Sequence, residues 1–403
     1  MNFIRKIKNI ILNRLAFEQQ EKLSYLRGKL TKRSLEFVLC RIFPIQNNKI
    51  VFCNMWGNGY GDNPKYITEE LIKTDMYDLV WLVKDIYDKS LPDGVRKVKY
   101  GSFKAVYELS TARIWVDNAR KYLSTIKKKS QYYIHTGHGG VPLKRVEADA
   151  PLDNLGAWYV ATAKHDSKLI DLIITNSKFK TQICEQSYWY HGEIVEWGSP
   201  KIEALKKKDK GIEDKVRKSL HIEKDVNIAL YAPTFRKDVT DLSWMISDFR
   251  SLRNTLIRAW GGKWIILARL HPNCAEKAVY AQIEDEEVIE ASSYPDMQEL
   301  LTASEILITD YSGTMFEMMQ IGKAVFLYTP DRDFYERGSY FEWSELPFPL
   351  SVSEKQLNNQ ILNFSMDDYF KRYESFKKRI GLVEKNNSAK ECAQRIHQVV
   401  FGV

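Results

Sequence analysis

Short apolar runs recur along most of the chain, each ended by a turn signal and followed by a stretch of helical periodicity. From Lys49 onward the runs Ile50-Val-Phe-Cys53, Leu79-Val-Trp-Leu-Val83, Lys97-Val-Lys-Tyr100, Arg113-Ile-Trp-Val116, Tyr132-Tyr-Ile-His135, Leu172-Ile-Ile-Thr175 and Ile194-Val-Glu-Trp197 predict strands. Helical patterns open at Pro64, with Ile67, Leu71 and Ile72 on one face, run from Gly101 to Ser110, and begin again at Ser177. A lysine-rich stretch from Lys201 to Lys218 interrupts the series and reads as a solvated helix or linker. The alternation then restarts with Asn227–Tyr231, Trp264–Leu267, Glu287–Ile289, Ile306–Thr309 and Ala324–Leu327. Strands alternating with helices predict an α/β fold, here two such domains in series. The pattern divides the chain into a basic helical segment over 1–47, α/β domains over 48–200 and 201–366, and a helical tail over 367–403. No internal repeat, low-complexity tract or heptad run is present.

Length and composition fit this division. The 403 residues suit two domains, and 44% hydrophobic with 28% charged residues is the balance of a folded chain. The five cysteines, Cys40, Cys53, Cys184, Cys274 and Cys392, are dispersed without a Cys-x-x-Cys pair, which reads as reduced thiols. No apolar run is long enough to span a membrane. The formal net charge of +8 points to anionic partners, and it is concentrated at the start: residues 1–41 hold ten Lys/Arg against three Glu. There Phe3, Ile4, Ile7, Ile11 and Leu15 fall at helical spacing, with Arg5, Lys6, Lys8 and Arg14 off the stripe. A basic amphipathic helix of this kind either lies on an anionic membrane surface or packs its stripe on the protein. The lack of a clean hydrophobic block and a small-residue cleavage site argues against a signal peptide.

Polar residues cluster where strands end. Tyr133-Ile-His-Thr-Gly-His-Gly-Gly-Val-Pro-Leu-Lys-Arg145 follows a strand. His135 and His138 have no third ligand at zinc spacing, and the glycines do not form a G-x-G-x-x-G fingerprint. A histidine between glycines at a strand end suits a general base, with Lys144 and Arg145 adding charge for phosphate. Tyr231-Ala-Pro-Thr-Phe-Arg236 presents Thr234 and Arg236 after a strand, and Arg269-Leu-His-Pro272 presents Arg269 and His271. In Ile306-Leu-Ile-Thr-Asp-Tyr-Ser-Gly-Thr314 a strand gives way to Ser312, Gly313 and Thr314 at a helix start, where N–H groups and hydroxyls can hold an anion. Asp310 caps that turn or orients a partner. In open α/β sheets such strand ends are where ligands bind.

Together these stretches resemble the CDP-glycerol glycerophosphotransferase family, which builds teichoic acids and related capsule polymers. The resemblance rests on His138-Gly139 with Pro142-Leu-Lys144, on Asn63-Pro-Lys-Tyr66, on Gly198-Ser-Pro-Lys-Ile-Glu203, on Tyr231 to Arg236, on Arg269 to Pro272 and on Thr309-Asp-Tyr-Ser312, in that family's order. The chain departs from the pattern at Gly137, where the family has tryptophan, at Gly313 in place of a serine, at Lys201 and Glu203 in place of arginine and aspartate, and by one added residue before Pro142. The resemblance implies a GT-B architecture, two Rossmann-like domains with a cleft between them, attached peripherally to the cytoplasmic face of the cell membrane. It implies a CDP-glycerol or CDP-ribitol donor, a lipid-linked glycan or polymer acceptor, no cofactor, no metal and no nucleic acid; a homo-oligomer is left open. Members that polymerise often carry a further N-terminal region, so addition of one or a few units is expected.

In the mechanism so implied, an acceptor hydroxyl attacks the β-phosphorus and CMP leaves. His138 is the general base. His271 and Arg236 hold the diphosphate or protonate the leaving phosphate, Asp310 orients a histidine, and Ser312 and Thr314 cradle phosphate beside Gly313. Lys144, Thr234, Arg269 and Arg337 complete the phosphate-binding set. Two rivals stay open: a GT-B glycosyltransferase using a nucleotide sugar, and a non-enzymatic basic protein that binds membrane or nucleic acid.

Overall fold

The computed structural model describes residues 16–151, 155–234, 236, 244–270, 288–334, 338–383 and 385–402. The Phe3–Leu15 stripe lies outside them. Two compact units emerge. The first comprises the described parts of Met1–His138, Val146–Pro200 and Val383–Val403, and the second those of Gly139–Arg145 and Lys201–Leu382. Among the described residues no helix is long and apolar enough to cross a membrane.

The first unit is built on seven parallel strands: β1 Gln46–Cys53, β2 Asp78–Val83, β3 Val95–Lys99, β4 Ala112–Asp117, β5 Tyr132–His135, β6 Leu172–Ile174 and β7 Glu193–Val195. Their order in the sheet is β3-β2-β1-β4-β5-β6-β7. The central strands are apolar on both faces because helices cover both, which is why they read as continuous hydrophobic runs. Trp81, Trp115 and Tyr133 are among the largest fully buried side chains. The chain builds outward from β1 to β3, then returns to lay β4 on the other side of β1. That reversal is a topological switch point, where the loops at the carboxyl ends diverge and leave a crevice. Register brings Cys53, Asp117 and His135 side by side at the ends of β1, β4 and β5, so the loops after these three strands start from one row.

The second unit has six parallel strands: β8 Val226–Ala232, β9 Lys263–Ala268, β10 Val288–Glu290, β11 Ile306–Thr309, β12 Ala324–Tyr328 and β13 Leu350–Ser351, in the order β10-β9-β8-β11-β12-β13. Its switch point lies between β8 and β11. There Ala232 pairs with Thr309, while on the other side of β8 Tyr231 pairs with Ala268 of β9. The two-residue β13 escapes sequence reading because it is too short to show a period.

The stretch from Lys201 to Lys218 is not uniformly solvated. It forms helices over Pro200–Lys206 and Lys210–Ser219, and Lys201 is buried against Glu317 at 2.7 Å, with Gln298 donating to the same carboxylate. The C-terminal helices are divided. Met366–Ile380 belongs to the second unit and stops at Gly381, whose φ of +58° is the left-handed close that glycine permits. Ser388–Phe401 belongs to the first, where Cys392 and Ile396 join Ile67 and Leu71 in one core.

Candidate active site

In the first unit the strand-end loops converge on Asn118, one residue past β4. Its carboxamide donates to Asn54 Oδ1 at 2.8 Å and accepts from the Met55 N–H at 2.8 Å. Its carbonyl lies 3.2 Å from His138 Nδ1. A carbonyl only accepts, so Nδ1 carries the proton, and in the neutral ring Nε2 carries the lone pair. His138 is exposed. The residue before it, Gly137, sits at φ +59°, a left-handed conformation that glycine adopts freely. Its carbonyl accepts from Asn63 Nδ2 at 3.1 Å, and Asn63 Oδ1 accepts from Ser199. The Asn-Pro-Lys-Tyr and Gly-Ser-Pro-Lys segments therefore brace the histidine loop.

His135 is different in kind. It is buried in the strand, and burial, with Arg120, His138, Lys180 and Lys121 adding to it, drives its pKa well below the ordinary value. It stays neutral. Beneath it runs a buried network: Arg120 bonds Glu147, Asp166 and Ser167, Tyr159 donates to Glu147, and Lys121 pairs with Asp117.

In the second unit Asp310 ties the ends of β8 and β11 together. It accepts from the Thr234 N–H at 2.9 Å, the Thr234 hydroxyl at 2.6 Å, the Tyr311 N–H and the Arg236 guanidinium at 2.9 Å. These are its partners among the described residues; the histidine His271 lies outside them. Arg236 is held by two carboxylates and a carbonyl. Nε donates to Asp331 at 2.6 Å, Nη1 to the Thr234 carbonyl at 2.7 Å, and Nη2 to both Asp310 and Asp331. Burial opposes its charge, but the bonds to Asp331 and Asp310 outweigh that and raise its pKa. Trp244 and Tyr311 stack on it, each ring centre 4.9 Å away. With Nε and Nη2 on two carboxylates and Nη1 on a carbonyl, Arg236 braces the loop.

Arg269 presents the opposite case. Its Nη1 is buried and has no hydrogen-bond partner among the described residues, and burial lowers its pKa against the pull of Asp296, Glu290 and Tyr294. A buried donor without an acceptor is costly unless a ligand supplies one. Beyond β11, Thr314 donates to Ser312 Oγ at 2.8 Å. The helix that follows is only Thr314–Gln320, so side-chain hydroxyls rather than a long helix dipole are what this turn offers. Gly313 has ordinary helical dihedrals, and a Cβ there would meet nothing within 4 Å. Lys144 lies in the segment that belongs to the second unit. It forms an antiparallel bridge with Ser339, and the Tyr340 N–H donates to the Leu143 carbonyl at 2.9 Å. His271 and Arg337 lie outside the described residues.

Sequence reasoning missed Asn118 and Asp331. Asp331 did carry a signal, standing in Thr329-Pro-Asp after a strand. Asn118 had none, because its role is set by register between strands.

Residues 35–401 match the family described as CDP-Glycerol:Poly(glycerophosphate) glycerophosphotransferase. The chain belongs to that family. The teichoic acid poly(glycerol phosphate) polymerase of Staphylococcus epidermidis is 28% identical, over 98% of this chain and 55% of its own length. A polymerase of the same description from Bacillus spizizenii is 28% identical, over 90% of this chain and 95% of its own. The chain thus spans about half of one such relative and nearly all of another, so length is no argument for addition of single units. The solved structure of the wall teichoic acid polymerase TagF is 27% identical, with a TM-score of 0.77, covering 99% of this chain and 97% of that one. The architecture is the GT-B type expected, two Rossmann-like α/β units.

Proposed function

We propose that this chain is a CDP-polyol phosphotransferase. It moves glycerol phosphate or ribitol phosphate from the CDP derivative to a hydroxyl of a membrane-linked glycan or of a teichoic acid or capsule precursor, and releases CMP. Membership of the family over residues 35–401 supports the reading. The observation that carries its chemistry is His138, an exposed imidazole whose Nδ1 is held by the Asn118 carbonyl at 3.2 Å. Nε2 then takes the proton from the acceptor hydroxyl as its oxygen attacks the β-phosphorus. Phosphoryl transfer depends on positioning and on neutralising charge over the equatorial oxygens. Arg269 supplies a donor that lacks an acceptor among the described residues, with Lys144 and the Ser312 and Thr314 hydroxyls as further phosphate ligands beside Gly313. Thr234, Arg236 and Asp310 keep that loop in shape. His271 acts on the diphosphate or the leaving phosphate, and Arg337 is a further phosphate ligand.

The experiment is incubation of the full chain with CDP-glycerol, CDP-ribitol and common nucleotide sugars, each with a lipid-linked glycan acceptor. Release of CMP from a CDP-polyol is the expected result. A nucleoside diphosphate released from a nucleotide sugar would make the chain a glycosyltransferase.

The same reading places the chain on an anionic membrane surface at the cytoplasmic face. Support comes from helices Phe17–Lys29 and Lys32–Cys40. The second buries Phe37 and Cys40 yet leaves Leu35, Val38 and Leu39 exposed, and Leu30 and Ile42 at its ends are 85% and 82% exposed. Lys22, Arg27, Lys32 and Arg41, on the same two helices or just past their end, are exposed as well. Apolar residues at the centre with basic residues at the margin are what an interfacial helix needs.

A further inference from the structure

The loop after β1 adopts a backbone that side chains rarely allow. Met55 and Trp56 have φ of +41° and +57°, and Gly57 follows at +86°. Two consecutive non-glycine residues in the left-handed region persist only where the surroundings hold them, and such strain gathers at functional sites. Here the hold is explicit. The Met55 N–H donates to Asn118 Oδ1 at 2.8 Å, the Gly57 and Asn58 N–H groups donate to the Asn54 carbonyl, and the Lys84 N–H donates to the Gly57 carbonyl at 2.8 Å. A side chain at Gly57 would come within 2.7 Å of Tyr100 Cβ.

What the strained turn fixes is one indole. Trp56 is 37% exposed, and its Nε1–H is already taken by the Arg120 carbonyl at 2.9 Å. The polar edge is anchored, so the surface left to a ligand is ring carbon. That suits the C–H face of a flat ring and offers nothing to a phosphate. A flexible polyol chain would present less area and lose more rotational freedom on binding. The anchor point lies two residues from Asn118, whose carbonyl holds His138.

We propose that Trp56 is the acceptor platform: its indole receives a pyranose ring of the acceptor, and Asn118 holds this platform and His138 in one frame. The proposal rests on His138 acting on the acceptor hydroxyl, and it narrows the acceptor to one with a sugar ring near the attacking oxygen.

The test uses the full chain with CDP-glycerol as donor. The acceptor probes are an alkyl β-D-glucopyranoside, its 2-acetamido analogue, and an oligo(glycerol phosphate) without a ring. Binding is followed by saturation-transfer NMR and turnover by CMP release. Trp56→Ala is expected to raise the KM or Kd for the pyranosides about tenfold, to change kcat less than threefold, and to leave the donor KM and the ring-free acceptor unaffected. Trp56→Phe is expected to recover most of the loss. An unchanged pyranoside constant in folded Trp56→Ala, an equal loss with all acceptors and the donor, or no pyranoside binding by the wild type would each overturn the proposal. His138→Ala separates the two ideas: full turnover in that variant defeats the base assignment, whereas the Trp56 constants report on the platform alone.

Discussion

The two histidines of one short motif show how much a residue's surroundings decide. Three positions apart, His138 is exposed with Nδ1 on a carbonyl, and His135 is buried and held neutral. A general base contributes about a hundred- to ten-thousand-fold to turnover. His138→Ala should therefore lower kcat by about that factor while far-UV circular dichroism and the melting temperature stay near wild type; near-full turnover would remove the role. A second pair of neighbours concerns stability. Burial pushes the Asp166 carboxyl up to about 6, although Arg120 and Lys121 oppose it. Burial, with Lys29 next, pulls His165 down to about 4. The Asp166 contribution is complete below the ordinary carboxylate range and is lost as pH rises through 6. The His165 contribution is complete above the ordinary histidine value and is lost as pH falls through 4. Between pH 6.5 and 4 the two work against each other, each on the order of 2–3 kcal/mol. Asp166→Asn should uncover a steeper loss of stability on acidification over that window, and His165→Gln the reverse. Urea midpoints at pH 6.5 and 4.5 give the slopes, and a wild-type slope in both variants would show that neither group is coupled to folding in this way.

Among elements, the helix Lys32–Cys40 is the least expected. Its sequence is apolar on more than one face, which in an isolated domain would mean full burial. Only Ser34, Phe37 and Cys40 are buried. Leu30→Glu with Ile42→Glu should abolish co-sedimentation with vesicles containing anionic lipid and leave CMP release toward a soluble acceptor within about twofold of wild type. Vesicle binding should also weaken with salt, since the exposed lysines and arginines contribute about 1 kcal/mol each near an anionic surface. Binding that survives the double substitution would move the contact elsewhere, residues 1–15 included.

At the scale of the whole molecule, the chain does not follow its own order. The first unit takes back residues 383–403 after the second is complete. Ser388 donates to the Trp197 carbonyl at 2.8 Å, and the Val383 N–H to the Asn176 carbonyl at 2.9 Å. A polypeptide of residues 1–200 should therefore expose the apolar face of Ile67 and Leu71 and aggregate. The same polypeptide joined by a flexible linker to residues 383–403 should be soluble and unfold cooperatively. Equal solubility of the two would mean that the final helix is dispensable to that core.

The α/β class, the strand runs and the ordered motifs were legible in the sequence because each is a local property. Apolar periodicity, turn residues and short motifs are set within a few positions of one another. What tertiary structure alone decided depends on residues far apart in the chain. Arg236 carries no sign in the sequence that Asp310 and Asp331, 74 and 95 residues away, hold its guanidinium. Arg269, no different in sequence, has a buried donor without an acceptor among the described residues. Asn118 carries no motif, yet register sets it between Met55 and His138. Residue type determines which interactions a side chain can make. Burial and the partners that strand pairing brings alongside determine which of them are already satisfied, and so which remain for a substrate.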